Sequence, residues 1–297
     1  MLAETLSDRR TLLAVADGMG GHAAGEVASA LALQTLTEAI SDGQSLEAAF
    51  TLANSRVHEM AAEPGKQGMG TTLVAILADG GSYEVANVGD SRAYVISASG
   101  IRRLTEDHSF VAEAMKRGQT EEEAMATPWR DALTRSIGTD EEVRVDVFGP
   151  FEVEADSAFL ICSDGLYKTL SDQDLQDLFA RSGSPRGAAQ ALVSAAFDNG
   201  SDDNISAAVA EWGEVPRQAV STTMVMKALT PDAEPAPAPG GTSTAEEAPP
   251  EGTFGGADDD AEVVTAESSL VGGLPLGALA AVVLVVGALV AILLFGG

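Results

Sequence analysis

The stretch LAVADGMGGH, residues 13–22, carries an apolar run straight into an aspartate, three glycines and a closing histidine. A buried strand here would bring Asp17 to a sheet edge, and the glycines would let backbone come close to whatever the carboxylate holds. That could be a metal ion, a phosphate or nothing more than a tight turn. A phosphate-binding P-loop is excluded, because no Gly-Lys-Ser/Thr follows the glycines of GMGGHAAGE. His22 is expected to cap or border a helix starting near Ala23.

Outward from this stretch, AAGEVASALALQTLTEAI and LEAAFTLANSRVHEMAAE space their apolar residues as helices do, the second ending before Pro64. GTTLVAILAD, SYEVANVG and SRAYVIS read as strands, the first two joined into a hairpin by Gly80 and Gly81. A helical stretch over 109–126, the strand SAFLICSD, helices near 171–181 and 185–198, and the strand NISAAVAE complete the pattern. Consecutive strands and consecutive helices, rather than strict alternation, predict an α+β fold with antiparallel sheets.

Three more aspartates share the setting of Asp17: Asp164 in LICSDG, Asp203 in SDDNIS and Asp107 in LTEDHS. Each alone is ordinary turn chemistry, since Asp-Gly and Asp-Asn favour turns and caps. Together, carboxylates without thiolates or clustered histidines are hard oxygen ligands that suit Mg²⁺ or Mn²⁺ rather than zinc. Asp90 and Arg92 in GDSRAY read as a structural hairpin feature, and His58 as a surface residue of its helix. His108 either orders Asp107 or lies in a surface turn. Cys162, within FLICSDG, reads as buried filler.

The segments VADGMGGHAAGEVAS, GMGTTLVAIL, VANVGDSRAYVI, LTEDHSFV, LTRSIG, FLICSDGLYKTLSD and DNIS follow one another in order over residues 10 to 212. This series resembles the block motifs of bacterial PPM-type (type 2C) metal-dependent Ser/Thr protein phosphatases. The resemblance implies an α-β-β-α sandwich of two antiparallel sheets flanked by helices. It also implies two Mg²⁺ or Mn²⁺ ions and a third, weaker one. Asp17 would bridge the first two, with the Gly18 carbonyl on the second; Asp164 and Asp203 would complete the shell of the first ion. Asp107 would share the third ion with Asp164. Catalysis would then run through Asp17, Asp164 and Asp203 by a metal-activated water attacking phosphorus, with no covalent nucleophile. The position where some relatives carry a general-acid histidine is Met19 here. Residues 109 to 136 correspond to the family's variable flap, which bears on substrate choice.

The family's opening Arg-x-x-Asn-Glu-Asp block, whose arginine contacts substrate phosphate, has no counterpart in MLAETLSD. Glu4, Asp8, Arg9 and Arg10 lie too close to the first strand to replace it, and its absence is expected to cost one sheet a strand. Two readings compete: a start further upstream, or a catalytically impaired module that binds phosphoproteins or a signalling partner.

Net charge is −28, from 17 basic and 45 acidic residues. Nucleic acid is thereby excluded as a partner, because phosphate backbones are held by Lys and Arg in excess. A single cysteine rules out an internal disulfide framework. Three regions are expected: a phosphatase domain over 1–213, an acidic Pro/Gly/Ala-rich disordered linker over 214–268, and one C-terminal transmembrane helix over 269–295. The linker holds too few apolar side chains to offset ordering entropy. The last segment contains LPLGALAAVVLVVGALVAILLF without a charge, and about 20 apolar residues suffice to cross a bilayer. With no signal peptide, the domain is expected at the cytoplasmic face of a membrane. Its partners would be phosphorylated Ser/Thr proteins, Ser/Thr kinases and their substrates, with lipid around the anchor.

Overall fold

The computed structural model describes residues 1–20, 22–212 and 280–286. In chain order, β1 (Leu2–Thr5), β2 (Thr11–Val15) and the short β3 (Gly18–Met19) lead into α1 (His22–Ser41) and α2 (Leu46–Ala61). Five strands follow: β4 (Gly70–Thr71), β5 (Leu73–Asp79), β6 (Ser82–Val88), β7 (Arg92–Ser97) and β8 (Gly100–Arg103). Then come α3 (Phe110–Lys116), α4 (Glu121–Met125), β9 (Asp146–Glu152), β10 (Ser157–Cys162) and α5 (Asp164–Tyr167). The last elements are α6 (Asp172–Arg181), α7 (Pro185–Asp198), β11 (Ile205–Trp212) and β12 (Ala280–Val286).

Two antiparallel sheets carry the fold, with strand orders β1-β2-β5-β6-β9 and β12-β11-β10-β7-β8. Alternation along the central strands explains why they stack. In β2, Leu12 and Ala14 point into a core with α1 and α2, while Leu13 and Val15 point into the layer between the sheets. In β10, Phe159 and Ile161 enter that same layer, and Ala158, Leu160 and Cys162 face α6 and α7. A period of two thus buries both faces of each sheet and produces the expected α-β-β-α order of layers. Cys162 is filler as expected, its thiol pushed up to about 12 by burial. The helix starts follow local chemistry: Ser171 and Asp174 form a capping box on α6, and Ser184 caps α7 with Pro185 in its first turn.

Two expectations need correction, and two strands were not foreseen. Leu2–Thr5 is a strand paired antiparallel with β2. The predicted helix over 109–126 is two short helices, broken at Gly118 with φ +94°. β9 is a strand that the residue pattern does not announce, because Gly149-Pro150 interrupts it; its pairing with β6 shifts register between Tyr83 and Val85. Proline is confined to edges and irregular positions of sheets, which is where β9 lies. Lastly, only Ala280–Val286 of the expected transmembrane helix is described, and it is a strand along β11. Its run AAVVLVV is rich in β-branched valines, which suit a strand, and β11 offers it an edge. Among the described residues no helix is long and apolar enough to cross a membrane. The linker over 214–268 lies outside the described residues.

Candidate active site

Asp17 leaves β2, Asp90 leaves β6, Asp164 follows β10, and Asp203 precedes β11. These four strand ends meet at one end of the sandwich, where all four aspartates line a cleft of about 730 Å³. Asp90 sits on the link between β6 and β7, where the chain crosses from one sheet to the other. The cleft therefore straddles both sheets.

Hydroxyls and glycines set the backbone here. The Asp17 N–H donates to Thr72 Oγ1 (2.9 Å), and Thr71 Oγ1 donates to the Asp17 carbonyl (2.8 Å). Thr72 Oγ1 also meets Ser91 Oγ at 2.8 Å, which links the Asp17 and Asp90 segments. On the second sheet, Ser163 Oγ donates to the Asn204 carbonyl (3.0 Å) and accepts from the Ser206 N–H (2.9 Å). This holds Asp164 beside Asp203. A side chain at Gly165 would put its Cβ 2.6 Å from the Asn204 carbonyl oxygen. Gly18 faces Gly25 of α1 so closely that a Cβ would lie 2.0 Å from the Gly25 carbonyl oxygen. The glycines after Asp17 thus admit helix backbone, in addition to leaving Gly18 on the cleft wall. Replacing Gly18 by alanine is expected to destabilise the fold by at least about 1–3 kcal/mol, as overpacking against rigid backbone does, and to lower Tm in a thermal melt.

The electrostatics show why the cleft suits cations. Burial, followed by the neighbouring carboxylates of Asp164, Asp203 and Asp90, pushes Asp17 up to about 8. Burial, then Asp164, pushes Asp90 up to about 6. Asp164 Oδ1 is buried with no hydrogen-bond partner. Bare carboxylates in contact repel unless a proton or a cation lies among them. Among the described residues, no three His, Cys, Asp or Glu side chains stand as a ready coordination cluster. A hard divalent cation fits this donor set of partly buried, under-satisfied oxygens.

The structure brings together Asp17, Gly18, Asp164 and Asp203 but places Asp107 differently. Asp107 is absent from the cleft lining, and Arg92 holds it in a fork at 2.7–3.2 Å, with Arg103 at 3.4 Å. Its charge is already answered by guanidinium in this arrangement. His108 is buried: the Gly89 N–H donates to its Nδ1 (3.1 Å), so its Nε2 carries the proton toward Asp146 (3.1 Å). It ties this segment to β6 and β9 rather than ordering Asp107. His58 is tied to the Gly138 carbonyl at 3.1 Å. Arg10 pairs with Asp8 and donates to the Ile40 carbonyl, away from the cleft.

Sequence reasoning read Asp90 as a hairpin feature only, and missed Lys168. Asp90 follows an apolar strand and a glycine in VGD, the same cue as the others. Lys168 carried no signal, yet its Nζ lies 2.7 Å from Asp164 Oδ2 and 3.6 Å from Asp131 Oδ1. Burial pulls its ammonium down, but the hydrogen-bonded Asp164 carboxylate outweighs this and raises it above its ordinary value. Arg130 to Leu133, from the expected flap, also line the cleft.

The family model described as "Protein phosphatase 2C" matches residues 2–197. The chain belongs to the protein phosphatase 2C family. It is a serine/threonine phosphatase of the bacterial type. The serine/threonine phosphatase stp of Listeria welshimeri is 35% identical over 217 residues, covering 69% of this chain and 85% of that protein. The solved serine/threonine phosphatase of S. agalactiae superposes with a TM-score of 0.64 at 31% identity, covering 70% of this chain and 90% of that one. The catalytic domain of PstP, solved in complex with two manganese ions, shares 32% identity at a TM-score of 0.55, covering 67% of this chain and 85% of that one.

Proposed function

We propose that this phosphatase hydrolyses phosphoserine and phosphothreonine on proteins with two Mg²⁺ or Mn²⁺ ions held by Asp17, Gly18, Asp164 and Asp203. The observation that carries the reading is the convergence of Asp17 and Asp164, from different sheets, on one cleft with charge left to neutralise. Bound there, the ion pair would supply Lewis-acid charge and lower the pKa of water toward neutrality. The chain's own part is positional. Thr71, Thr72 and Ser91 fix Asp17 and the Asp90 link, while Ser163 and Gly165 fix Asp164 against Asp203. Arg130 on the cleft wall offers positive charge toward an incoming phosphate. Cys162 takes no part, since its thiol faces the helix layer.

In the cell the domain would oppose Ser/Thr kinases acting on the same proteins. Phosphate release from a phosphothreonine peptide by the full chain tests the central reading. Release is expected with Mn²⁺ and should vanish with a chelator. Peptide binding without release, in protein shown to be folded, would favour the impaired binding module instead.

A further inference from the structure

The two oxygens of Asp164 have different fates. Oδ1 is buried and partnerless, while Oδ2 is taken by the Lys168 ammonium at 2.7 Å. Lys168 is anchored for this contact: it lies one turn after Asp164, and its N–H donates to the Asp164 carbonyl at 3.0 Å. The same ammonium reaches Asp131, beyond α4, at 3.6 Å. The preceding residue, Tyr167, sits under the second cation. Its ring centroid is 3.4 Å from the Arg92 guanidinium carbon, and Arg92 occupies both oxygens of Asp107. Tyr167 and Lys168 thus set a side-chain cation on each of the two carboxylates that the family resemblance pairs around a third metal.

We propose that the Lys168 ammonium and Arg92 guanidinium stand in place of that third ion, so the enzyme binds two metal ions and carries its third cation in the chain. This rests on the two-metal reading above. Asp164 Oδ1 remains for the metal shared with Asp17, and Oδ2 is answered by Lys168. A divalent ion between Asp164 and Asp107 would meet two positive side chains at short range and would find no free carboxylate oxygen on Asp107. Lys168 is therefore a positioning residue: it orients a ligand carboxylate and ties it to the flap.

The test is the number of Mn²⁺ ions bound per full-length chain, read from the electron paramagnetic resonance signal of free Mn²⁺ in titrations carried into the millimolar range. The wild-type chain is expected to saturate at two. Lys168→Asn combined with Arg92→Gln removes both cations and should admit a third, weaker ion. Lys168→Asp combined with Arg92→Gln should hold that ion about tenfold tighter, as an added ligand charge does. Three ions in the wild type, or two in both variants, would overturn the proposal while leaving the two-metal reading intact. No bound Mn²⁺ in the wild type would overturn both.

Discussion

Replacing Asp164 by asparagine is expected to lower kcat/KM by about 10³-fold or more, with the protein still folded. The carboxylate is asked for several kcal/mol of charge stabilisation through the cation it holds, and each factor of ten in rate corresponds to about 1.4 kcal/mol. The amide oxygen can still accept from Lys168, and the Ser163 and Gly165 contacts to Asn204 do not involve the carboxylate. Thermal stability in chelator should be unchanged or higher, because one member of a repelling group is neutralised. Phosphate release and a thermal melt on the same preparation check both parts. Activity within tenfold of wild type would remove Asp164 from the site.

The second large effect concerns pH in the metal-free protein. Folding raises Asp17 from its ordinary 3.8 to about 8, so between those values the folded state binds the extra proton. Its contribution is fully present below about pH 4 and is lost as pH climbs through about 8. The loss is on the order of a few kcal/mol: a tenfold change in proton affinity is worth about 1.4 kcal/mol, and residual contact with solvent trims the total. Asp90, raised to about 6, adds a smaller loss of the same sign. His108 acts the other way: burial and Arg135 lower it below its ordinary 6.5, so its neutral form gains stability as pH rises toward that value. Comparing wild type with Asp17→Asn at each pH isolates the aspartate. Chelator-treated wild type should melt lower at pH 8 than at pH 5, relative to the variant, and Mn²⁺ should reverse the deficit in wild type alone. A pH dependence shared by the two proteins would mean that Asp17 is not held in the protonated form.

The legible parts of the fold were those decided within one segment. The alternation of Leu12, Leu13, Ala14 and Val15 reveals a strand buried on both faces, and capping serines mark where α6 and α7 begin. The hairpin at Gly80 and Gly81 was equally local, and Asp79 does pair with Ser82. Contacts between distant segments were not legible. Nothing in DGMGG says that Gly18 abuts Gly25 of a helix, nor does LTEDHS show that Arg92 will claim Asp107. Lys168 reads as a solvated lysine until Asp164 and Asp131 are seen on either side of it. β9 was hidden because an edge strand holding Gly149 and Pro150 lacks both alternation and propensity. The expected transmembrane helix shows a related ambiguity, since an apolar valine-rich run suits a sheet edge as well as a bilayer.

Asp17 rides on one sheet, and Asp164 and Asp203 ride on the other, so their separation is governed by how thickly the two sheets are filled. That filling contains the small residues Ala78, Ala93, Ala208 and Ala210 beside Phe159 and Tyr83, whose rings meet at 4.7 Å. Ions seated among these aspartates would act as a cross-brace between the layers, much as a bolt joins two plates. The reach of the ligands is then calibrated by methyl groups that never touch the cleft, and turnover becomes a gauge of the gap between the sheets.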